Sequence, residues 1–342
     1  MNKLSYTIVI ATRNRPAALQ LSIPRMLSQS RPPAQLIVID SSDDHQAIVD
    51  AVKDSVREFP IDLMILPSER GLTLQRNVSL PLIKHPVVFF PDDDSIWFPG
   101  TAEAQMEVYE RDEEKRIAAV CAAESSSPPP NWELEVASSY QMNWKHRFKQ
   151  MFAGARHRIE SRFFPDPALL LGKSFWPPAS ELLPWFAEED VLLVAWMTGF
   201  RMSFRTEVIR QVRFDENLTR YSLFEDIDAS FGAWQLGWVV GVWKARVYHY
   251  RSPENRDHGR TLGAQQLFNK AYVIHKHSPL GHPARDRMNA FARYKVFQYR
   301  MGAMDSFGRE RYEGAVAARA AIKTISSSNI SNRAESYLDA LG

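Results

Sequence analysis

The residues best suited to chemistry are an unbroken triplet, Asp92-Asp93-Asp94, directly behind the apolar run Val87–Phe90. Three carboxylates this close repel one another. At an effective dielectric near 20 and a separation of about 5 Å, each pair costs roughly 3 kcal/mol. A divalent cation removes that cost, and hard oxygen ligands suit Mg2+ or Mn2+. The plain alternative is a solvated acidic turn ahead of a helix starting at Thr101. A second acidic pair, Glu225-Asp226, precedes Ile227, Phe231, Trp234 and Trp238, which recur at i, i+4, i+7 and i+11 as one buried helical stripe. Acids at a helix start gain ~0.3–1 kcal/mol from the backbone dipole. The same position also holds a carboxylate on a rigid element. Between the two clusters lies Gly71…Arg76-Asn77, a glycine followed by a helix bearing arginine. Such a segment can hold phosphate, or be an ordinary loop-to-helix transition.

The elements that must position these residues have a clear rhythm. Tyr6–Ala11, Leu36–Asp40, Leu63–Leu66 and Val87–Phe90 are short runs rich in Val, Ile and Leu, spaced 25 to 30 residues apart. Runs buried on both faces at that spacing predict βαβ units. Helices are expected over Ala17–Ser28, Gln46–Glu58, Thr73–Ile83 and Thr101–Lys115, with Pro24 kinking or shortening the first. The expected fold class is α/β, an open, mostly parallel, doubly wound sheet with helices on both faces and a mainly helical C-terminal extension. In such sheets ligands bind beyond the carboxyl ends of the strands. Thr12-Arg13-Asn14-Arg15, Asp40-Ser41-Ser42 and the aspartate triplet all follow strands, so they collect on one edge. Val247–Tyr250 reads as a short strand, and Val191–Phe200 as a core segment.

Composition narrows the function classes. The 342 residues carry 42 Lys and Arg against 40 Asp and Glu, a net charge of +2. That balance argues against a dedicated nucleic-acid binder. The single cysteine, Cys121, excludes an internal disulfide and a cysteine-based zinc site, and suits a reducing compartment. No apolar run approaches the ~20 residues that cross a bilayer, and Tyr6–Ala11 is too short for a signal-peptide core. A cytoplasmic protein is expected. The charge is uneven: residues 251–342 hold 15 basic against 8 acidic residues, and residues 1–250 hold 27 against 32.

Taken together, the motifs resemble a family 2 glycosyltransferase with the GT-A fold. The resemblance runs through Thr12-Arg13-Asn14-Arg15, Ile39-Asp40-Ser41-Ser42, Gly71…Arg76-Asn77 and Asp92-Asp93-Asp94. It continues in Gly199-Phe200-Arg201-Met202-Ser203-Phe204-Arg205, Phe214-Asp215-Glu216 and Glu225-Asp226-Ile227-Asp228, covering about residues 5 to 255. It implies a metal-dependent inverting transfer of a sugar from a nucleotide diphosphate donor (UDP-, GDP- or dTDP-linked) to a hydroxyl of a glycan or lipid-linked acceptor, in cell-surface or secreted glycan synthesis. By the resemblance, Thr12, Arg13 and Asp40 belong to donor binding, with Thr12 and Asp40 at the nucleobase, and Arg76 holds the diphosphate. Asp92 and Asp93 join the donor site, Asp94 ligates Mn2+ or Mg2+ with Asp92, and His249 completes the metal site. Asp226 is the implied general base and Glu225 orients it or the acceptor. No organic cofactor is expected. One departure is Ser41, where the family carries a second acid, and this leaves the choice of base open. A sugar-phosphate nucleotidyltransferase can share the fold but would carry a glycine-rich loop after the first strand. A catalytically silent glycan-binding protein is the non-enzymatic alternative.

Three regions are expected: 1–115 for nucleotide sugar and metal, 116–250 for the acceptor with an insertion at about 142–186, and 251–342 as a basic helical extension. Lys145–Arg162 holds six basic residues and one acid, interleaved with Phe148, Met151, Phe152 and Ile159. This segment and the basic extension are the candidate contacts for a membrane's inner face; an ordinary solvated helix face is the alternative. Trp132, Trp144, Trp176 and Trp185 flank the insertion, as packing or as sugar-facing aromatics. His258 with Arg251, Arg256 and Arg260 is a candidate loop over the diphosphate.

Overall fold

The computed structural model describes residues 3–130, 164–218, 222–251 and 259–322. The first four strands form where the apolar rhythm places them: β1 (Tyr6–Thr12), β2 (Gln35–Asp40), β3 (Asp62–Pro67) and β4 (Val87–Phe90). They pair in parallel in the order β3-β2-β1-β4. Parallel neighbours need crossovers, supplied by α1 (Pro16–Leu27), α2 (His45–Ser55) and α3 (Leu72–Ser79). Pro16 occupies the first turn of α1, where a missing N–H costs nothing. The Asp44 carboxylate caps α2 by accepting from Ala47 N at 3.1 Å. Pro24 does not shorten α1: the helix continues to Leu27 with Pro24 inside it.

Beyond β4 the strand directions mix. β5 (Ser95–Trp97) and α4 (Thr101–Arg111) precede the long β6 (Ile117–Ser125). After α5 (Pro167–Ser174) come β7 (Val191–Leu193), β8 (Met202–Arg205), α6 (Thr206–Val212), α7 (Glu225–Trp234) and β9 (Trp238–His249). The sheet reads β3-β2-β1-β4-β8-β6-β9-β5, with β7 also on β9. β8 is antiparallel to both β4 and β6, and β5 and β7 are antiparallel to β9. The result is a mixed α/β sheet, parallel through its N-terminal half and again between β6 and β9. Trp238 belongs to β9 rather than to the stripe on α7, which ends at Trp234. Val247–His249 is the end of that twelve-residue strand, not a short strand of its own.

Alternation along the central strands supplies two cores, one per face. Ile8, Ile10, Leu36 and Val38 pack with α1, α2 and α4. Val9, Ile37 and Ile39 face the opposite layer, which includes α6, α7 and the extension. That extension is α8 (Gly259–His277), α9 (Pro283–Met301) and α10 (Ser306–Ile322). A Cβ on Gly263 would lie 2.0 Å from the Arg311 carbonyl oxygen, so glycine lets α8 and α10 touch backbone to backbone. The expected amphipathic segment 145–162, Trp132, Trp144 and the loop residues Arg256 and His258 lie outside the described residues.

Candidate active site

A cleft of about 510 Å³ opens beyond the carboxyl ends of β1 and β4 and against the start of α7. Its first wall is the aspartate turn. Thr12 Oγ1 donates to Asp93 Oδ2 at 2.8 Å, and Arg15 lies 3.0 Å from Asp93 Oδ1 and 3.6 Å from Asp94 Oδ2. The register Ser95↔His249 carries the end of β9 to the residue following Asp94. His249 Nε2 therefore sits 3.2 Å from Asp94 Oδ1, and its ring stacks on Phe200 at 4.5 Å between centroids. One ligand atom each from Asp92, Asp94 and His249 lie within 4.8 Å of one another. Two carboxylate oxygens and an imidazole nitrogen are a donor set that fits Mn2+ or Mg2+.

The electrostatics of this wall favour an added positive charge. Burial pushes the Asp93 carboxyl up to about 7; Arg15 opposes the shift, and Asp94 and Asp92 add to it. Burial likewise raises Asp92 despite Arg76. Burial works against a charged His249 ring, but its bond to the Asp94 carboxylate and the charges of Asp92 and Asp94 outweigh it and hold its pKa above the usual value. A cation among these groups would relieve the carboxylates and compete with the ring's proton.

The second wall is the start of α7. Asp226 Oδ2 accepts from Gly199 N at 3.0 Å and its Oδ1 from Ile227 N at 2.8 Å. Burial nevertheless raises its pKa above the ordinary carboxylate value. Burial and the neighbouring Asp226 raise Glu225 well above its own. Glu225 is hydrogen-bonded to Arg76, whose other terminal nitrogen lies 3.2 Å from Asp92 Oδ1. Arg76 is 2% exposed and stacks over the Phe214 ring. It therefore ties the two walls together from behind. The approach to α7 is strained: Ser222 and Phe224 adopt φ of +54° and +76°, unfavourable for residues with a Cβ.

The structure brings Thr12, Arg13, Asp92, Asp93, Asp94, Glu225, Asp226 and His249 to one cleft. It does not bring Asp40 or Arg76 to the cleft wall. Asp40 is buried, accepting from Ser42 N at 2.9 Å and contacting His45 Nδ1 at 2.7 Å, so it shapes the turn that presents Ser41. Sequence reasoning passed over Gln75, whose amide donates to the carbonyls of Thr12 and Ile39 and locks the ends of β1 and β2. It left Arg15, quoted within its motif, without a role. It also missed the part played by α8. Asn269 donates to the Leu223 carbonyl at 3.0 Å, and Lys276 and His277 pair with Asp228 at 2.9 and 2.7 Å. Lys276 also pairs with Asp215 at 2.7 Å, where Tyr272 donates a second bond. The basic count of the tail hinted at such pairing; the strained loop gave no signal, because it contains no glycine.

Comparison with known proteins bears on the fold and on the first half of the chain. Residues 7–166 match the family model of glycosyl transferase family 2. No curated protein sequence matches the chain. Among solved structures, a mannosyltransferase from Pyrobaculum calidifontis in complex with GDP-Man and Mn2+ superposes with a TM-score of 0.54 at 14% identity, covering 94% of this chain and 87% of that one. GalNAc-T7 with UDP, GalNAc and Mn2+ also gives 0.54 at 12% identity, covering 96% of this chain and 56% of the other. Residues 1–349 of TarS from S. aureus, in complex with UDP-GlcNAc, give 0.52 at 11% identity, covering 98% and 89%. At such identities the likeness concerns the fold, which is of the GT-A type, while the family rests on the sequence match. By that match residues 7–166 are similar to the family 2 glycosyltransferases.

Proposed function

We propose that the chain is a metal-dependent inverting glycosyltransferase that moves a sugar from a nucleotide diphosphate donor to a hydroxyl acceptor. The observation that carries this reading is the pairing across one cleft of the Asp92, Asp94 and His249 donor set with Asp226. Asp92, Asp94 and His249 would hold Mn2+ or Mg2+, which when bound neutralises charge on a diphosphate leaving group. Arg13 and Arg15 line the same cleft and are placed to meet donor oxygens. Thr12 and Ser41, at the ends of β1 and β2, border the space for the nucleoside. We assign Arg76 to holding Glu225 and Asp92 in place, since both its terminal nitrogens are engaged there.

Asp226 is the general base. It must take the proton of the acceptor hydroxyl as that oxygen attacks the anomeric carbon and the diphosphate departs. Its raised pKa makes it a stronger base than an ordinary aspartate, and the two backbone N–H groups fix its direction. Direct displacement inverts the anomeric centre, so an α-linked donor gives a β-linked product. A glycan or lipid-linked hydroxyl at a cell-surface assembly step suits the family and the open cleft.

The test has two readings. UDP-, GDP- and dTDP-sugars are screened by thermal shift with and without Mn2+; a donor at 100 times its dissociation constant adds ~2.7 kcal/mol of stability. With the donor known, Asp226→Asn should lower transfer by ~10³-fold or more while donor binding persists. No stabilisation by any nucleotide, or unchanged transfer by the variant, overturns the reading.

A further inference from the structure

The C-terminal extension carries a feature that the cleft does not use. Where α9 ends and α10 begins, four large apolar side chains face solvent within eleven residues: Phe297 is 60% exposed, Met301 67%, Met304 89% and Phe307 46%. Phe297 and Met301 lie one turn apart on the outer face of α9, and the exposed Arg293 and Arg300 share that face. Met304 occupies the turn, and Phe307 and the exposed Arg309 open α10. Residues 293–309 contain Arg293, Lys295, Arg300 and Arg309 against the single acid Asp305. An apolar tip of this kind, set in a basic surround, is unusual on a protein face that meets only water.

We propose that this tip docks the protein peripherally on an anionic lipid surface. Phe297, Met301, Met304 and Phe307 enter the headgroup–acyl boundary, and Arg293, Arg300 and Arg309 meet the negative headgroups. Charge complementarity selects this occupant over a second copy of the chain. A two-fold contact through the same face would set arginines against arginines. The location also serves a cleft with an acceptor at a membrane. The Phe307 carbonyl oxygen lies 2.5 Å from where a Cβ on Gly259 would sit, so the tip packs against the first residue of α8. Leu262, one turn further along α8, lines the cleft. The tip and the cleft thus adjoin the same end of one helix. None of the proposed docking residues lines the cleft, so the inference stands apart from the proposed transfer chemistry.

The full chain is sedimented with vesicles of phosphatidylcholine containing phosphatidylglycerol, and with phosphatidylcholine alone, at low and high salt. Binding is expected to the anionic vesicles, with a partition coefficient at least tenfold lower on the neutral ones and reduced by salt. The combined variant F297S/M301S/M304S should lose at least tenfold in binding, and R293Q/R300Q/R309Q should lose the preference for phosphatidylglycerol. Melting curves of both should match the parent, because the altered side chains are exposed. The proposal fails if the chain stays in the supernatant with anionic vesicles, or if the serine variant pellets like the parent. It fails equally if light scattering shows a dimer that the serine variant dissolves, since the face would then belong to a second copy.

Discussion

Glu225 and Asp226 on α7 face the same cleft as the acids behind β4, but the protein neutralises the acids of the two elements differently. On α7 each carboxylate has a partner: Glu225 has Arg76, Asp226 has two backbone N–H groups, and Asp228 has Lys276 and His277. Behind β4, Arg15 pairs with Asp93 and Asp94, one arm of Arg76 with Asp92, and His249 with Asp94, so the three aspartates meet fewer than one arginine each among the described residues. Burial raises Asp92 and Asp93 there, as it raises Glu225 and Asp226 on α7, so it is the pairing and not the direction of the shift that distinguishes the two clusters. The difference separates scaffold from site. Where the chain supplies its own counter-charges, an acid can be structural, as Asp228 is. Where it does not, the missing charge is expected from a ligand.

The sharpest break of this contrast is Asp94→Ala. It removes an oxygen from the cation set and should lower transfer by ~10³-fold, with loss of any Mn2+-dependent thermal shift. A cation-dependent shift that survives in the variant would place the cation elsewhere. Asp228→Ala should do the reverse. It keeps the cation-dependent shift but leaves Lys276 and His277 without their shared acid, costing about 3 kcal/mol in denaturant unfolding. If Asp228→Ala melts like the parent yet abolishes cation binding, the division between the two clusters is wrong.

Much of this was legible in the sequence because it depends on local pattern. Val- and Ile-rich runs at βαβ spacing specify the parallel strands, and strand polarity then puts Thr12, Asp92 and Asp94 on one edge. His249 was legible only as a motif, because its place depends on β9 running antiparallel to β5, a long-range pairing. Arg76 shows the limit in the other direction. Its spacing from Gly71 suits phosphate, but tertiary packing buries it behind Glu225 and Asp92. Asp40 is a similar case, turned inward to His45 by its own loop. Reversal of strand direction at β8 left no composition signal, since a buried strand is apolar in either direction.

A smaller effect is expected where the two walls meet. A Cβ on Gly199 would lie 3.0 Å from Glu225 Oε1 and 3.8 Å from Asp226 Cβ. Gly199→Ala must therefore displace the Glu225 carboxylate beside the base by a few tenths of an ångström, while Asp226 Cβ stays in ordinary contact. Misplacement on that scale should lower kcat about tenfold. Cation binding and melting temperature should hardly change, because the wall behind β4 is untouched. A variant that loses cation binding instead would show that the walls are coupled through Arg76 more strongly than their separate partners imply.

The smallest effect is a pH dependence of stability. Asp93 has a folded-state pKa of about 7 against an ordinary 3.8, so folding favours its protonated form. Its contribution is complete below the unfolded value and is lost as pH rises through about 7. Asp92, Glu225 and Asp226 are raised as well and act in the same direction. Asp215 and Glu110 are lowered, so their contribution is lost only as pH falls through values below the ordinary carboxylate range. Between pH 5 and 8 the lowered His85 and His275 oppose the raised carboxylates, but those four together with the raised His249 outnumber them, and without cation the melting temperature should fall by a few degrees. Mn2+ should reverse this fall at pH 8 and have little effect at pH 5, where protons compete for its ligands. Asp93→Asn should flatten the cation-free slope, since it removes a carboxyl that titrates at about 7. A cation-free melting temperature that climbs from pH 5 to 8 would mean that the turn behind β4 carries its own counter-charge after all, and the contrast with α7 would vanish.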